Sequence, residues 1–257
     1  MKKIVQWEIE FNEGKTGVVI VKLKPIKAAE RFINQRFSYC QGAVLAGSII
    51  RGEETDTSDL DIVIFDKSIM ESYRESFIDF GWPIEIFVHN LTSYKIFFEM
   101  DYKDAKPSMQ RMISEGIVLK DEGIMDSIKK EAKEILNKGP GEWTEETVTI
   151  KRYFITDALD DFIGSNNRAE EIFIANSLAN LVHEFILRTN GHWIGSSKWI
   201  IRALKHYDVK FTEEFIEAFD DFYKTGEKGR VIQLTEMVLE PFGGRLFEGF
   251  SLGKEKL

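Results

Sequence analysis

The spacing of apolar residues changes once along this chain, and the change limits the folds that the chain can adopt. Up to about Glu122, short apolar runs alternate with stretches of helical spacing, which is typical of an α/β domain with a mixed sheet. After Glu122 only helical spacing is found, which indicates a helical bundle. The Gly/Pro cluster at 138–141 is the best candidate linker. We therefore predict two domains, residues 1–138 and residues 139–257.

The first domain is expected to be an α/β (α+β) unit in which helices flank a mixed sheet. Its predicted strands are 43–46, 60–65, 84–88 and a short 117–119, and its predicted helices are 25–39, 68–80, 92–102 and 122–137. Residues 4–23 alternate apolar and polar side chains around a Gly-containing turn, which predicts a β-hairpin. The second domain should contain helices at about 144–164, 168–189, 196–207, 212–224 and 228–239, with the apolar stretch 172–187 as the central helix.

Composition narrows the class of protein and of partner. With 34 Lys and Arg against 43 Asp and Glu, the formal net charge is −9, so nucleic acid is a disfavoured partner and a cationic small molecule is a favoured one. The single cysteine, Cys40, excludes an intramolecular disulfide and fits a reducing compartment. No apolar run approaches the roughly 18 residues that span a bilayer, and no signal peptide is found. We expect a cytoplasmic protein without a membrane partner.

A candidate phosphate site follows the first buried strand. The strand ends at Gly47-Ser48, where a helical turn is expected to begin. Glycine permits close approach of the backbone to a ligand, and unpaired N–H groups at a helix start attract anions. With the Ser48 hydroxyl added, this turn is predicted to hold phosphate.

A candidate metal site follows at the start of the next strand. Asp59 and Asp61 are two residues apart, so a strand places both carboxylates on one face, where they repel each other unless a cation binds. Glu85 lies between Ile84 and Ile86, which should point into the core and leave Glu85 on the same face as the aspartates. Oxygen-only ligands select Mg²⁺ or Mn²⁺. A solvated acidic strand edge is the plainer alternative, but it does not explain three carboxylates on two otherwise apolar strands.

These motifs resemble those of the nucleotidyltransferase superfamily, whose fold is that of DNA polymerase beta. The matching elements are Gly47-Ser48, Arg51-Gly52, Asp59-x-Asp61 and the lone Glu85. In length and in the order of a metal domain and a helical domain, the chain is most similar to the kanamycin and aminoglycoside nucleotidyltransferases. The predicted N-terminal hairpin has no counterpart in this resemblance.

The resemblance implies an enzyme that transfers a nucleoside monophosphate, AMP from ATP, to a hydroxyl of a small, cationic, antibiotic-like acceptor and releases pyrophosphate. Asp59, Asp61 and Glu85 would hold Mg²⁺ or Mn²⁺ and take part in catalysis. Gly47, Ser48, Arg51 and Ser58 would bind the nucleoside triphosphate, although Arg51 could equally pair with Asp59 or another acid. The related antibiotic-modifying enzymes also imply a homodimer.

The resemblance further implies an acidic general base from the helical domain. Asp161 is the candidate because it borders an apolar stripe that includes Phe154 and Phe162; Asp157 lies one turn earlier, and Asp160 should point to solvent. The resemblance also implies that a basic residue of the helical domain contacts the triphosphate. Four candidates stay open for it: Lys151, Arg152, Arg168 and Lys198. Two other functions also stay open, nucleotidyl transfer to a protein or an RNA, as in toxin–antitoxin systems, and a non-catalytic nucleotide-binding regulatory module.

Overall fold

The computed structural model describes residues 22–253, so nearly all of the hairpin predicted over 4–23 lies outside the described residues. The chain divides into two compact units. Of the described residues, the first unit contains 22–101 and Pro107–Lys138, and the second contains Tyr102–Lys106 and 139–253. The short segment Tyr102–Lys106 therefore belongs to the second unit although its neighbours in sequence belong to the first.

The first unit is built on a five-stranded sheet. Its strands are β1 Gly42–Ala46, β2 Leu60–Phe65, β3 Tyr73–Asp79, β4 Trp82–His89 and β5 Ile117–Asp121. They are arranged in the order β3-β4-β2-β1-β5. The β2–β4 pair is parallel and the other pairs are antiparallel, so the predicted mixed sheet is confirmed.

Helices cover both faces of this sheet. They are α1 Pro25–Arg36, α2 Tyr94–Lys103, α3 Ser108–Glu115 and α4 Met125–Lys138. On one face, Leu60, Ile62 and Ile64 pack with residues of α1. On the other face, Val63 and Phe65 pack with residues of α2, α3 and α4. Burial on both sides explains why β2 is apolar at every position except Asp61. Helix α3 was not predicted from the sequence.

The prediction of a helix over residues 68–80 was wrong, because residues 73–79 form β3, which is antiparallel to β4 and is the outermost strand on that side within residues 22–253. Asp79 pairs with Trp82, so only Phe80 and Gly81 connect the strands, with φ of +52° and +80°. Positive φ at both central residues is what a type I′ hairpin turn requires. Gly81, the residue after the predicted helix, therefore lies in a hairpin turn. Helical spacing over so short a run is weak evidence for a helix, and pairing with β4 has decided the structure of this stretch.

The second unit is helical, as predicted. Its helices are α5 Glu145–Gly164, α6 Arg168–Thr189, α7 Lys198–Tyr207, α8 Val209–Thr225 and α9 Gly229–Leu239. Helix α6 packs against each of the other four, which fits the predicted central helix. Its first turns are less enclosed than expected, since Phe173 is 75% exposed. Within residues 22–253, no helix has both the length and the apolar character that crossing a bilayer requires.

The β3 strand predicts that two adjacent side chains contribute differently to stability. Phe77 is partly buried against Phe32, with ring centroids 5.2 Å apart, whereas the adjacent Ile78 is 79% exposed. Phe77→Ala should therefore lower the free energy of unfolding by about 1–3 kcal/mol. Ile78→Ala should change it by less than about 0.5 kcal/mol. Urea unfolding of both variants measures the difference, and equal losses would contradict the alternation.

Candidate metal centre

The register between two parallel strands brings the predicted carboxylates together. Asp61 is paired with Glu85 across β2 and β4, and Asp59 lies one residue before β2. Each of the three residues offers an oxygen, and these oxygens lie within 4.8 Å of one another. All three side chains are partly buried. The cluster is made only of carboxylate oxygens, so it could hold a hard divalent cation such as Mg²⁺ or Mn²⁺.

The surroundings of Asp61 disfavour its ionised carboxylate. Burial, and after it the charges of Asp59 and Glu85, raise the pKa of Asp61 from the usual 3.8 to about 6. Two cations, Arg74 and Arg51, act in the opposite direction. The cluster is therefore short of positive charge, which is the condition in which a divalent cation would stabilise it.

Gly47 is required by the geometry of this cluster. It follows β1 with φ of +86°, and a Cβ atom added there would lie 2.4 Å from Oδ2 of Asp61. Ala46 pairs with Asp61 across β1 and β2, so the turn after β1 necessarily runs beside this carboxylate. Any other residue at position 47 would be both strained and in collision with Asp61.

The loop between β1 and β2 is held by two of the predicted nucleotide-binding hydroxyls. After Gly47 the chain makes one 3₁₀ turn, Ile49–Arg51. The hydroxyl oxygens of Ser48 and Ser58 lie 3.1 Å apart, and the Thr55 N–H donates to Ser58 Oγ at 2.8 Å. Ser58 is buried, so its hydroxyl joins the two ends of the loop. The partly buried Ser48 lies in the turn itself, and its role in phosphate binding stays a prediction.

Arg51 was left open between phosphate binding and a scaffold role. In the structure its guanidinium donates to Glu53 at 3.1 Å and approaches Glu115 at 3.5 Å. Glu115 is the last residue of α3. Arg51 therefore ties the loop to α3, and its charge still lowers the pKa of Asp61.

Two residues that contact Glu85 were missed by the sequence analysis. Arg74 forms an ion pair with Glu85 Oε2, and the Ser76 hydroxyl lies 3.4 Å from Oε1. Both residues are on β3, where Ser76 is directly opposite Glu85. Only polar residues separate Tyr73 from Phe77, so the sequence shows no strand alternation there, and the predicted helix placed positions 74 and 76 on different faces.

A groove adjoins the cluster on the β3–β4 side. It has a volume of about 240 Å³ and is lined by Asp59, Ser76, Phe77, Ile78, Pro83, Ile84 and Glu85. Two of the three carboxylates thus face open space, and a ligand bound in the groove would lie against them.

The candidate base lies in the second unit, on an exposed face of α5. The buried stripe of that helix contains Ile155, Leu159 and Phe162, and Phe154 is 43% exposed, so the predicted stripe was partly wrong. The error arose because the helical phase was set by Phe154, a surface residue. Asp161 and Asp157 are both exposed.

The neighbouring aspartate differs from Asp161 in its contacts. Asp160 accepts a hydrogen bond from Arg245 at 2.9 Å, whereas within residues 22–253 no side chain pairs with Asp161. Both aspartates line a pocket of about 680 Å³ between the end of α5 and the start of α6, together with Glu170 and Phe173. This pocket is acidic with an apolar wall.

The four basic candidates of the helical unit have different surroundings. Arg152 donates to the carbonyls of Gly243 and Gly244, and Arg168 donates to those of Phe222 and Tyr223. Both are thus engaged in binding backbone carbonyls. The other two differ: Lys151 is paired with Glu184 at 2.7 Å, and Lys198 is exposed.

Comparison with known proteins adds little to these observations. No protein-family model matches the sequence, and no curated protein matches it. A solved structure of a nucleotidyltransferase-like protein from Exiguobacterium sibiricum aligns with 84% of this chain and 74% of its own. The sequence identity is 9% and the TM-score is 0.46.

The raised pKa of Asp61 predicts how stability depends on pH. A carboxyl whose pKa is higher in the folded state costs stability as the pH rises from 3.8 to about 6, and the full cost is present above that range. Asp61→Asn removes this cost. Without divalent cations, the variant should be more stable than the natural protein by about 1–3 kcal/mol at pH 7.5, and the gain should nearly vanish at about pH 4.

Chemical unfolding at the two pH values measures this effect, with chelator present throughout. Asp56→Asn is the matched control, because Asp56 is an exposed aspartate of the same loop. An equal change in stability at both pH values would show that the Asp61 carboxylate is not destabilised by its surroundings.

Proposed function

We propose that this protein is a metal-dependent nucleotidyltransferase that transfers a nucleoside monophosphate, AMP from ATP, to a hydroxyl of a small acceptor. The observation that carries the proposal is the convergence of Asp59, Asp61 and Glu85 to within 4.8 Å. This cluster lies beside the turn that begins at Gly47. A carboxylate cluster next to a Gly-Ser turn supplies what the reaction needs, a cation site and a place for phosphate.

The reaction forms a bond between the acceptor oxygen and the α-phosphorus and breaks the bond from that phosphorus to pyrophosphate. Mg²⁺ or Mn²⁺, when bound, supplies neutralisation of the triphosphate charge. Asp59, Asp61 and Glu85 fix where that charge is neutralised. Ser48 and the backbone after Gly47 are proposed to bind the terminal phosphates, and Arg51 adds positive charge near Asp61.

The acceptor hydroxyl has to lose a proton, and Asp161 is proposed to accept it. Asp161 is exposed and lines the 680 Å³ pocket with Asp160 and Glu170. Three carboxylates around an apolar wall that includes Phe173 suit an acceptor with both a positive charge and an apolar part. An antibiotic-like amine is such a molecule, and the net charge of −9 favours it over nucleic acid.

The homodimer stays a prediction, which light scattering tests.

Incubation of the full-length protein with Mg²⁺, labelled nucleoside triphosphates and a panel of hydroxyl-bearing amines tests the proposal by measuring pyrophosphate release. We expect release to depend on both Mg²⁺ and the acceptor. Asp61→Asn should nearly abolish it, because neutralising a ligand weakens the metal site, whereas Asp56→Asn should retain it. The panel should also contain an RNA and a protein acceptor. Release with only one of these would refute the small-molecule acceptor.

Binding of triphosphate with no transfer to any acceptor would instead favour the regulatory module.

The same assay distinguishes the aspartates of α5. Asp161→Asn should lower turnover by about 10²–10⁴ and leave triphosphate binding unchanged. Asp160→Asn is the comparison: Asp160 lines the same pocket but pairs with Arg245, so its loss should weaken acceptor binding and leave turnover at saturating acceptor nearly unchanged. Equal losses in the two variants would refute Asp161 as the base and leave the transfer reaction itself unaffected.

A further inference from the structure

Arg74 occupies an unusual position for a surface arginine. It forms an ion pair with Glu85 Oε2, although Glu85 belongs to the carboxylate cluster proposed to bind metal. Its guanidinium also lies over the Phe87 ring, 4.9 Å from the centroid. The aromatic ring and the carboxylate together place a positive charge beside three negative ones.

The position is also one from which the side chain can leave. Arg74 is on β3, which lies at the edge of the sheet within the described residues, and its side chain is 62% exposed. Glu85 is only 19% exposed, so the carboxylate is the fixed partner and the guanidinium is the movable one. No rearrangement of the core is needed for Arg74 to turn away from Glu85.

A divalent cation and a guanidinium would compete for this site. A cation among Asp59, Asp61 and Glu85 would lie within a few ångströms of Arg74, and like charges at that distance repel strongly when partly buried. A metal-bound triphosphate would attract Arg74, because its phosphates carry more negative charge than the metal neutralises. Arginine is well suited to bind such phosphates, since its planar fork of donors matches two oxygens.

We propose that Arg74 is an exchangeable counter-ion: it pairs with Glu85 when the cluster holds no cation, releases Glu85 to an incoming divalent cation, and then pairs with the phosphates of the nucleoside triphosphate. The inference rests on the proposed function, because it requires that Asp59, Asp61 and Glu85 bind a metal. It gives β3 a role beyond packing. It also predicts that Arg74 weakens the binding of free metal and strengthens the binding of the metal–triphosphate complex.

Replacing Arg74 with glutamine tests the exchange in the full-length protein. The affinity for Mn²⁺ alone, measured by electron paramagnetic resonance, should rise by about two- to tenfold, because the competing cation is gone. The affinity for a non-hydrolysable ATP analogue in the presence of Mg²⁺, measured by calorimetry, should fall by a similar factor. Arg74→Lys, which keeps the charge but not the fork, should show a smaller change in both.

The controls separate a local from a general effect. Lys130→Gln removes one positive charge from an exposed position on α4 in the same unit, so it should leave both affinities unchanged. In a Glu85→Gln background, Arg74→Gln should raise Mn²⁺ affinity by less than in the natural protein, because the contested carboxylate is absent and only the repulsion between Arg74 and the cation remains.

Two results would overturn the exchange. A lower Mn²⁺ affinity in Arg74→Gln would show that Arg74 positions Glu85 for the metal, and an unchanged affinity would show that the two are not linked. A natural protein that binds no Mn²⁺ at any concentration would instead refute the metal site of the proposed function, and the exchange with it.

Discussion

The parallel pairing of β2 with β4 places Asp61 level with Glu85, and the rest of the candidate site depends on this register. Two unit charges about 4 Å apart repel by about 4 kcal/mol at the effective dielectric constant of a protein surface. The cluster contains three such charges within 4.8 Å, so the fold maintains an arrangement that its electrostatics oppose. The surrounding apolar packing, with Ile62, Ile84 and Ile86 fully buried on the opposite face, fixes the strands despite that repulsion.

The neighbouring elements can be understood as adaptations to this pairing. Gly47 leaves space for the Asp61 carboxylate, which a side chain would remove. Arg51 and Arg74 reduce the excess of negative charge from two directions, the first from the β1–β2 loop and the second from β3. The two arginines differ in attachment, since Arg51 is tied to Glu53 and Glu115 whereas Arg74 pairs with a residue of the cluster itself.

Much of this could be predicted from the sequence because the evidence was local. The strand 60–65 follows from a run that is apolar apart from Asp61, and the shared face of Asp59 and Asp61 follows from the period of a strand. The facing of Glu85 required one further assumption, that its strand is a neighbour of β2, and the structure bears this out.

The errors arose where the answer depended on partners distant in sequence. Arg74 and Ser76 reach Glu85 only because residues 73–79 pair with β4, and a helical spacing in the same stretch concealed that pairing. In α5, the phase of the buried stripe is set by the other helices of its unit, so choosing Phe154 as a core residue shifted it. Gly47 was expected to let the backbone approach a ligand closely, but the need for glycine beside the Asp61 carboxylate was not foreseen, since the two residues meet only across two strands.

The central claim is that Asp59, Asp61 and Glu85 together bind a divalent cation, and anomalous diffraction tests it most directly. Crystals of the full-length protein would be soaked with Mn²⁺ and a non-hydrolysable nucleoside triphosphate, and data would be collected near the manganese absorption edge. The account predicts an anomalous peak within coordination distance of all three carboxylates, with triphosphate density beside the Gly47 turn. Peaks confined to other sites, with the three carboxylates unliganded, would contradict it.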